Sequence, residues 1–137
     1  MEELCTSTEA ECYTQGYVRK QLEKGSITSA LMACEFLPLS ADTFRIFNKV
    51  GEQAISRGQV KEIESLLHSK ILPPGALHSS LGEPSPELVS RRTVFQQMRV
   101  DMNPRELNAI IDDCIERIDE TIEMDLRADE EILNPRA

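Results

Sequence analysis

The residues with the strongest claim to chemistry are seven carboxylates near the C-terminus: Asp112, Asp113, Glu116, Asp119, Glu120, Glu123 and Asp125. Their i, i+4 and i, i+7 spacings put several on one side of a helix, an arrangement in which helical bundles hold divalent cations. Such sites add a histidine at Glu-x-x-His spacing, and the run contains none; the EF-hand loop pattern is missing as well. A solvated acidic face opposite a stripe of isoleucines is the expected reading, with no metal. His68 and His78 are the only histidines. A Ser–His or Cys–His nucleophile would also need an orienting group and an oxyanion site, for which the sequence offers no context. His68 is expected at a helix C-terminus, where its charge complements the dipole. Lys24-Gly25-Ser26 lacks the earlier glycine of a phosphate-binding loop. Cys5, Cys12, Cys34 and Cys114 show no CxxC spacing. They read as free thiols of a reducing compartment, Cys34 and Cys114 as small core residues, with a Cys5–Cys12 disulfide as the alternative. Catalysis is not expected, and no cofactor is implied.

Charge narrows the choice of partners. The net charge of −9 is concentrated in residues 106–137, which hold 11 acidic and 3 basic side chains, whereas residues 1–70 hold 10 and 8. Such a chain repels phosphate backbones, which disfavours direct nucleic-acid binding and favours a basic protein partner. No stretch approaches the ~20 apolar residues of a membrane-spanning helix. The acidic start Met1-Glu2-Glu3 is unlike a secretory signal, so a cytoplasmic setting is expected. With aromatics at 4 % and no Trp, Leu, Ile, Val, Met and Ala must fill the core, which suits helix-on-helix packing.

The elements that must position these residues can be read from their punctuation. Thr8-Glu9-Ala10-Glu11 has capping-box form and opens a helix that stops at Gly25. Ser26 caps a second helix through Ile27, Ala30, Leu31 and Cys34, ended by Pro38. Ser40 caps a third, with Phe44, Phe47, Val50 and Ala54 on one face and Gly58 as its stop. A fourth runs from about residue 59 to 70. Residues 71–84 are too rich in Pro and Gly for a helix, yet carry Ile71, Leu72, Leu77 and Leu81; a loop this long is often functional. Ser85-Pro86-Glu87 starts a fifth helix, and Asn103-Pro104-Arg105-Glu106 starts a long sixth. Its stripe is Leu107, Ile111, Ile115, Ile118, Ile122 and Leu126, with steps too long for the 3.5-residue period of a coiled coil. Residues 128–137 read as frayed. The fold class is therefore all-α, one domain of five to six helices.

Helices three and four together resemble a tetratricopeptide repeat. Phe47, Val50, Gly51, Ala54, Gly58, Val60, Ile63 and Leu67 fall at that family's spacings, followed by Pro73. Gly51 would let two antiparallel helices approach closely, and Gly58 would end the first before a tight turn. Ile63 and Lys70 depart from small residues of the pattern, and the proline comes early. Aligning Gly25 with Gly58 produces a second, poorer copy at a 33-residue period, with Val18 in place of glycine. The resemblance covers residues 11–76 and implies helical hairpins that present a groove to a peptide or helix, as in the small acidic chaperones of bacterial secretion systems. Helices five and six would then cap the stack. An irregular helical bundle is the alternative.

These readings converge on an adaptor or chaperone that holds a helical or peptide segment of another protein. Two partner surfaces are expected: Phe44, Phe47, Val50 and Ala54 with Leu72, Leu77 and Leu81; and the acidic side of helix six, Asp112, Glu116, Asp119, Glu120 and Glu123. Arg91, Arg92, Arg99 and Arg105 could instead pair with that acidic side within the chain. The alternatives are an assembly or structural factor, such as a phage or secretion-machine component, that forms a homo-oligomer through helix six, and an acidic inhibitor mimicking nucleic acid.

Overall fold

The computed structural model describes residues 9–71 and 85–133, with backbone only at 125 and 128–133. The described residues form six helices and no strand: α1 (Glu9–Lys24), α2 (Ile27–Cys34), α3 (Phe44–Ser56), α4 (Val60–His68), α5 (Pro86–Val100) and α6 (Arg105–Leu133). The fold is all-α, as the periodicity predicts. None of these helices is long and apolar enough to cross a membrane.

Pairs of adjacent helices pack as hairpins, and the first two hairpins turn alike. Gly25 and Gly58 both have φ of +76°, the left-handed conformation that glycine adopts without a Cβ penalty. Gly25 N–H donates to Leu22 O and Ser26 N–H to Gln21 O. One repeat later, Gly58 N–H donates to Ile55 O and Gln59 N–H to Ala54 O. Both turns are Schellman motifs, which satisfy the last carbonyls of α1 and α3. They also lie side by side. The Arg57 guanidinium sits where a Gly25 Cβ would reach it at 2.9 Å, and Gln59 Nε2 donates to Thr28 Oγ1 at 3.2 Å.

Helix α3 is central and touches all five other helices. Its Ile46, Phe47, Asn48, Val50, Gly51 and Ala54 are all buried. Gly51 admits α6: a Cβ there would lie 2.8 Å from Leu107 Cδ1 and 3.4 Å from Ile63 Cγ1. Asn48, three residues earlier on the same side, donates through Nδ2 to Asp101 Oδ2 at 2.8 Å and to Met98 O at 3.3 Å. Met98 O also accepts from Asn103 Nδ2 at 2.6 Å. A carbonyl at the end of α5 is thus satisfied from inside the protein.

Several caps differ from expectation. Ser26 stands at the N-cap of α2 but makes no side-chain cap bond. Helix α3 opens at Phe44, four residues after Ser40, because Thr43 organises the approach. Its buried hydroxyl donates to Pro38 O at 2.7 Å and accepts from Ser40 N–H at 2.9 Å. Ser85 precedes Pro86 as expected, with its hydroxyl turned to the Glu87 carboxylate. Helix α6 is described as far as Leu133. The proposed capping residue Thr8 lies outside the described residues.

Two glycines test this packing in opposite directions. Gly51→Val should lower the unfolding free energy by about 2 kcal/mol or more through overpacking against Leu107. At Gly16, in mid-helix, nothing lies within 4 Å of an added Cβ, so Gly16→Ala should raise stability by about 0.5–1 kcal/mol through helix propensity. Urea titration followed by circular dichroism reads both.

Candidate functional site

The first of the two expected partner surfaces is core. Phe47, Val50 and Ala54 are each 0 % exposed, and Phe44 packs partly buried against them. Their shared face is covered because α3 is enclosed by the other five helices, so they are not available to a partner. Leu72, Leu77 and Leu81 lie outside the described residues.

The second surface is exposed but largely engaged within the chain. Asp112 accepts from Arg99 Nε at 2.9 Å, and Asp119 lies 2.6 Å from Arg92 Nε. Both pairs bind α5 to α6 in one antiparallel register. Glu123 pairs with Arg127 at 2.6 Å. Arg91 turns away from this face and donates to Leu39 O. Glu116 and Glu120 face solvent. Among the described residues no group of three or more His, Cys, Asp or Glu is placed to hold a metal.

His68 is the last residue of α4, and its Nε2 lies 2.9 Å from Asp113 Oδ2 on α6. Arg117 Nε donates to the same oxygen at 2.9 Å. The Arg117 hydrogen bond, reinforced by His68, holds the Asp113 carboxyl below its ordinary value. Cys34 and Cys114 are free and buried, and burial pushes both thiols up to about 12, so neither is a nucleophile near neutral pH. Cys12 is disulfide-bonded, which corrects the expectation of a free thiol there. Unlike Cys34 and Cys114 it is not sealed in the core, so oxidation can reach it. Cys5, the proposed partner, lies outside the described residues.

An apolar groove is open elsewhere, on the outer side of the first hairpin; Val89, Val100, Met102 and Met124 are also exposed, on α5, α6 and the turn between them. Tyr13 is 78 % exposed, Tyr17 41 %, Met32 60 % and Phe36 80 %. With Thr14, Ser29 and Ala33 they line an open groove of about 390 Å³ between α1 and α2. Both tyrosines of the protein and one of its four phenylalanines stand here, although soluble proteins usually keep such side chains inside. A larger groove of about 600 Å³, between α2 and α4, shares Met32 but is lined mainly by polar residues such as Glu35, Gln59, Glu62, Ser65 and Ser69.

The 33-residue period explains why the first groove is open. It carries the buried residues Gln15 and Val18 of α1 onto the buried Asn48 and Gly51 of α3, the side that meets α5 and α6. It carries Tyr13 and Tyr17 onto Ile46 and Val50, which are buried. Arg57, on that second side of α3, abuts Gly25 of the first hairpin. Tyr13 and Tyr17 thus occupy the position that the preceding hairpin covers in α3, and α1 has no described helix before it. Ser29 and Met32 of α2, and Phe36 just beyond it, correspond to Glu62 and Ser65 of α4 and to Ser69 at its C-cap. The second hairpin is polar where the first is apolar.

Periodicity alone does not single out this site, because α1 has two apolar sides: Val18 and Leu22 face the core and Tyr13 and Tyr17 face outward. The signal that could have found it is the stripe Tyr13, Tyr17, Lys20, Lys24, at i, i+4, i+7 and i+11.

The shared carboxylate gives a prediction for acid pH. A folded-state value below the ordinary 3.8 of an aspartate means that Asp113 stabilises the fold above pH 3.8 and stops doing so as pH falls through its lowered value. Asp113→Asn should therefore lose stability at pH 7 and shrink the difference in urea midpoint between pH 7 and pH 3.

Compared with family models, curated proteins and solved structures, the chain matches none, so the functional reading rests on the geometry of this groove.

Proposed function

We propose that this protein is a non-catalytic adaptor whose first hairpin holds an amphipathic segment of another protein. One observation carries the reading: four large apolar side chains stand exposed on the outer face of the first hairpin, and two of them, Tyr13 and Tyr17, fall in the register of Ile46 and Val50, which are buried on α3. An amphipathic helix brings what the groove lacks, a row of apolar side chains three and four residues apart. Tyr, Phe and Met are well suited to such contacts. Aromatics supply large areas with few rotatable bonds, and Met adapts to differing partner shapes.

The recurrent Schellman turns and the stacking of Arg57 on Gly25 support a tetratricopeptide-like arrangement of the first two hairpins, with α5 and α6 closing one end of the stack. Terminal units of helical stacks normally turn a polar face outward. An apolar terminal face supports an end that continues into a partner. The acidic α6 is the weaker candidate, because Asp112, Asp119 and Glu123 already have arginine partners.

Site-directed photocrosslinking in the native host tests the reading. A benzophenone amino acid at Tyr17 or Phe36 should give a defined adduct with a second protein, and the same probe at Ser65 should give none. Met32→Asp should reduce affinity for that protein by about tenfold or more. Equal labelling from Ser65, or no heterologous adduct from either groove position, would overturn it.

A further inference from the structure

The outer stripe of α1 has a polarity along its length. It begins with exposed Glu9, continues through Tyr13 and Tyr17, and ends with exposed Lys20 and Lys24. Steps of 4, 4, 3 and 4 residues keep all five on one side of the helix. No ion pair within the described residues engages Glu9, Lys20 or Lys24. An acid at one end, aromatics in the middle and bases at the other end make a surface complementary to its own copy turned end for end. Two-fold interfaces require that property, since each patch must meet itself.

We propose that the groove is filled, in the absence of another partner, by α1 of a second copy packed antiparallel across a two-fold axis. The inference rests on the reading of the groove as a docking site and names the helix that docks there. In that register Tyr17 meets Tyr17 of the second copy at the axis. Tyr13 faces Lys20 of the second copy, within reach of a cation–π contact, and Glu9 faces its Lys24. Met32 and Phe36 flank the crossing and cover the aromatic pair. The stripe is about 22 Å long at 1.5 Å per residue, so the interface is small and the dimer is of the weak, exchanging kind. Weakness suits an adaptor: a partner helix with better complementarity displaces the second copy.

Sedimentation of the full-length protein from low micromolar to near-millimolar concentration reads the equilibrium, with circular dichroism as the control for folding. The expected result is a monomer–dimer equilibrium, weakened by rising salt. Tyr17→Asp, counted twice at the axis, should raise the dissociation constant at least about tenfold. Glu9→Lys and Lys24→Glu should each weaken the dimer, and the double variant Glu9→Lys/Lys24→Glu should restore it, because the exchanged charges meet again across the axis. A protein that stays monomeric throughout overturns self-pairing, and so does a dimer indifferent to Tyr17→Asp and both reversals. A monomer that still gives a heterologous adduct from Tyr17 removes this inference alone. The absence of that adduct, with the dimer intact, removes the adaptor reading instead.

Discussion

Everything in this fold follows from the requirement that one helix of thirteen residues, α3, touch all five others. A helix so placed leaves only the polar stripe Arg45, Lys49, Glu52 and Ser56 to solvent, and no apolar face for a partner. Its residues must instead fit each neighbour in turn, and their types show it. Gly51 gives up a side chain so that Leu107 of α6 can come close. Asn48 brings a buried polar group to the α5–α6 corner, where the Met98 carbonyl and the Asp101 carboxylate receive it. A buried amide of this kind costs about 1–3 kcal/mol when left unpaired, so it penalises any packing in which the α5–α6 pair slides along α3.

The same requirement decides where a binding surface can be. α5 and α6 take one side of α3, and α1 and α2 take the other. Neither α1 nor α2 touches α5 or α6. Among the described residues the first hairpin therefore has one face against α3 and leaves Tyr13, Tyr17 and Met32 exposed on the opposite face. Had that face been Glu, Ser and Ser, as in the matching register of α4, it would be an ordinary solvated cap. Met32 and Phe36 in those positions change the chemistry without changing the backbone.

The helices were legible in the sequence because glycine, proline and apolar spacing mark them locally. Gly25, Gly58 and Pro86 act within a few residues of themselves, and each appears in the structure at its expected boundary. The site was not legible for the opposite reason. Phe44, Phe47, Val50 and Ala54 form a clean apolar face, and a sequence does not reveal whether such a face is covered by its own chain. Coverage is a property of all the helices together. The sixth helix shows the intermediate case. Its acidic face was evident, and Arg92 and Arg99 were foreseen as partners, because a short connection forces α5 and α6 to be antiparallel. Arg91 departs from that pattern, since Leu39 O, on the connection between α2 and α3, competes for its guanidinium.

That competition bears on how firmly the groove is held. Lys70 Nζ donates to Glu35 O at 3.0 Å, and Arg91 donates to Leu39 O. Both cations reach the segment that leaves α2; Met32 stands on that helix and Phe36 on the segment itself. Burial lowers the pKa of each, a cost accepted only where a charge finds good acceptors. Glu35 O, at the C-cap of α2, is such an acceptor, because the helix dipole gathers negative potential there. Leu37 and Leu39, 0 % and 2 % exposed, pin the same segment from the apolar side. The floor of the groove is thus tied to α4 and α5 by charge and to the core by burial. A partner meets side chains whose backbone is already fixed. Little ordering entropy is lost beneath them on binding, which lets a few aromatic contacts suffice.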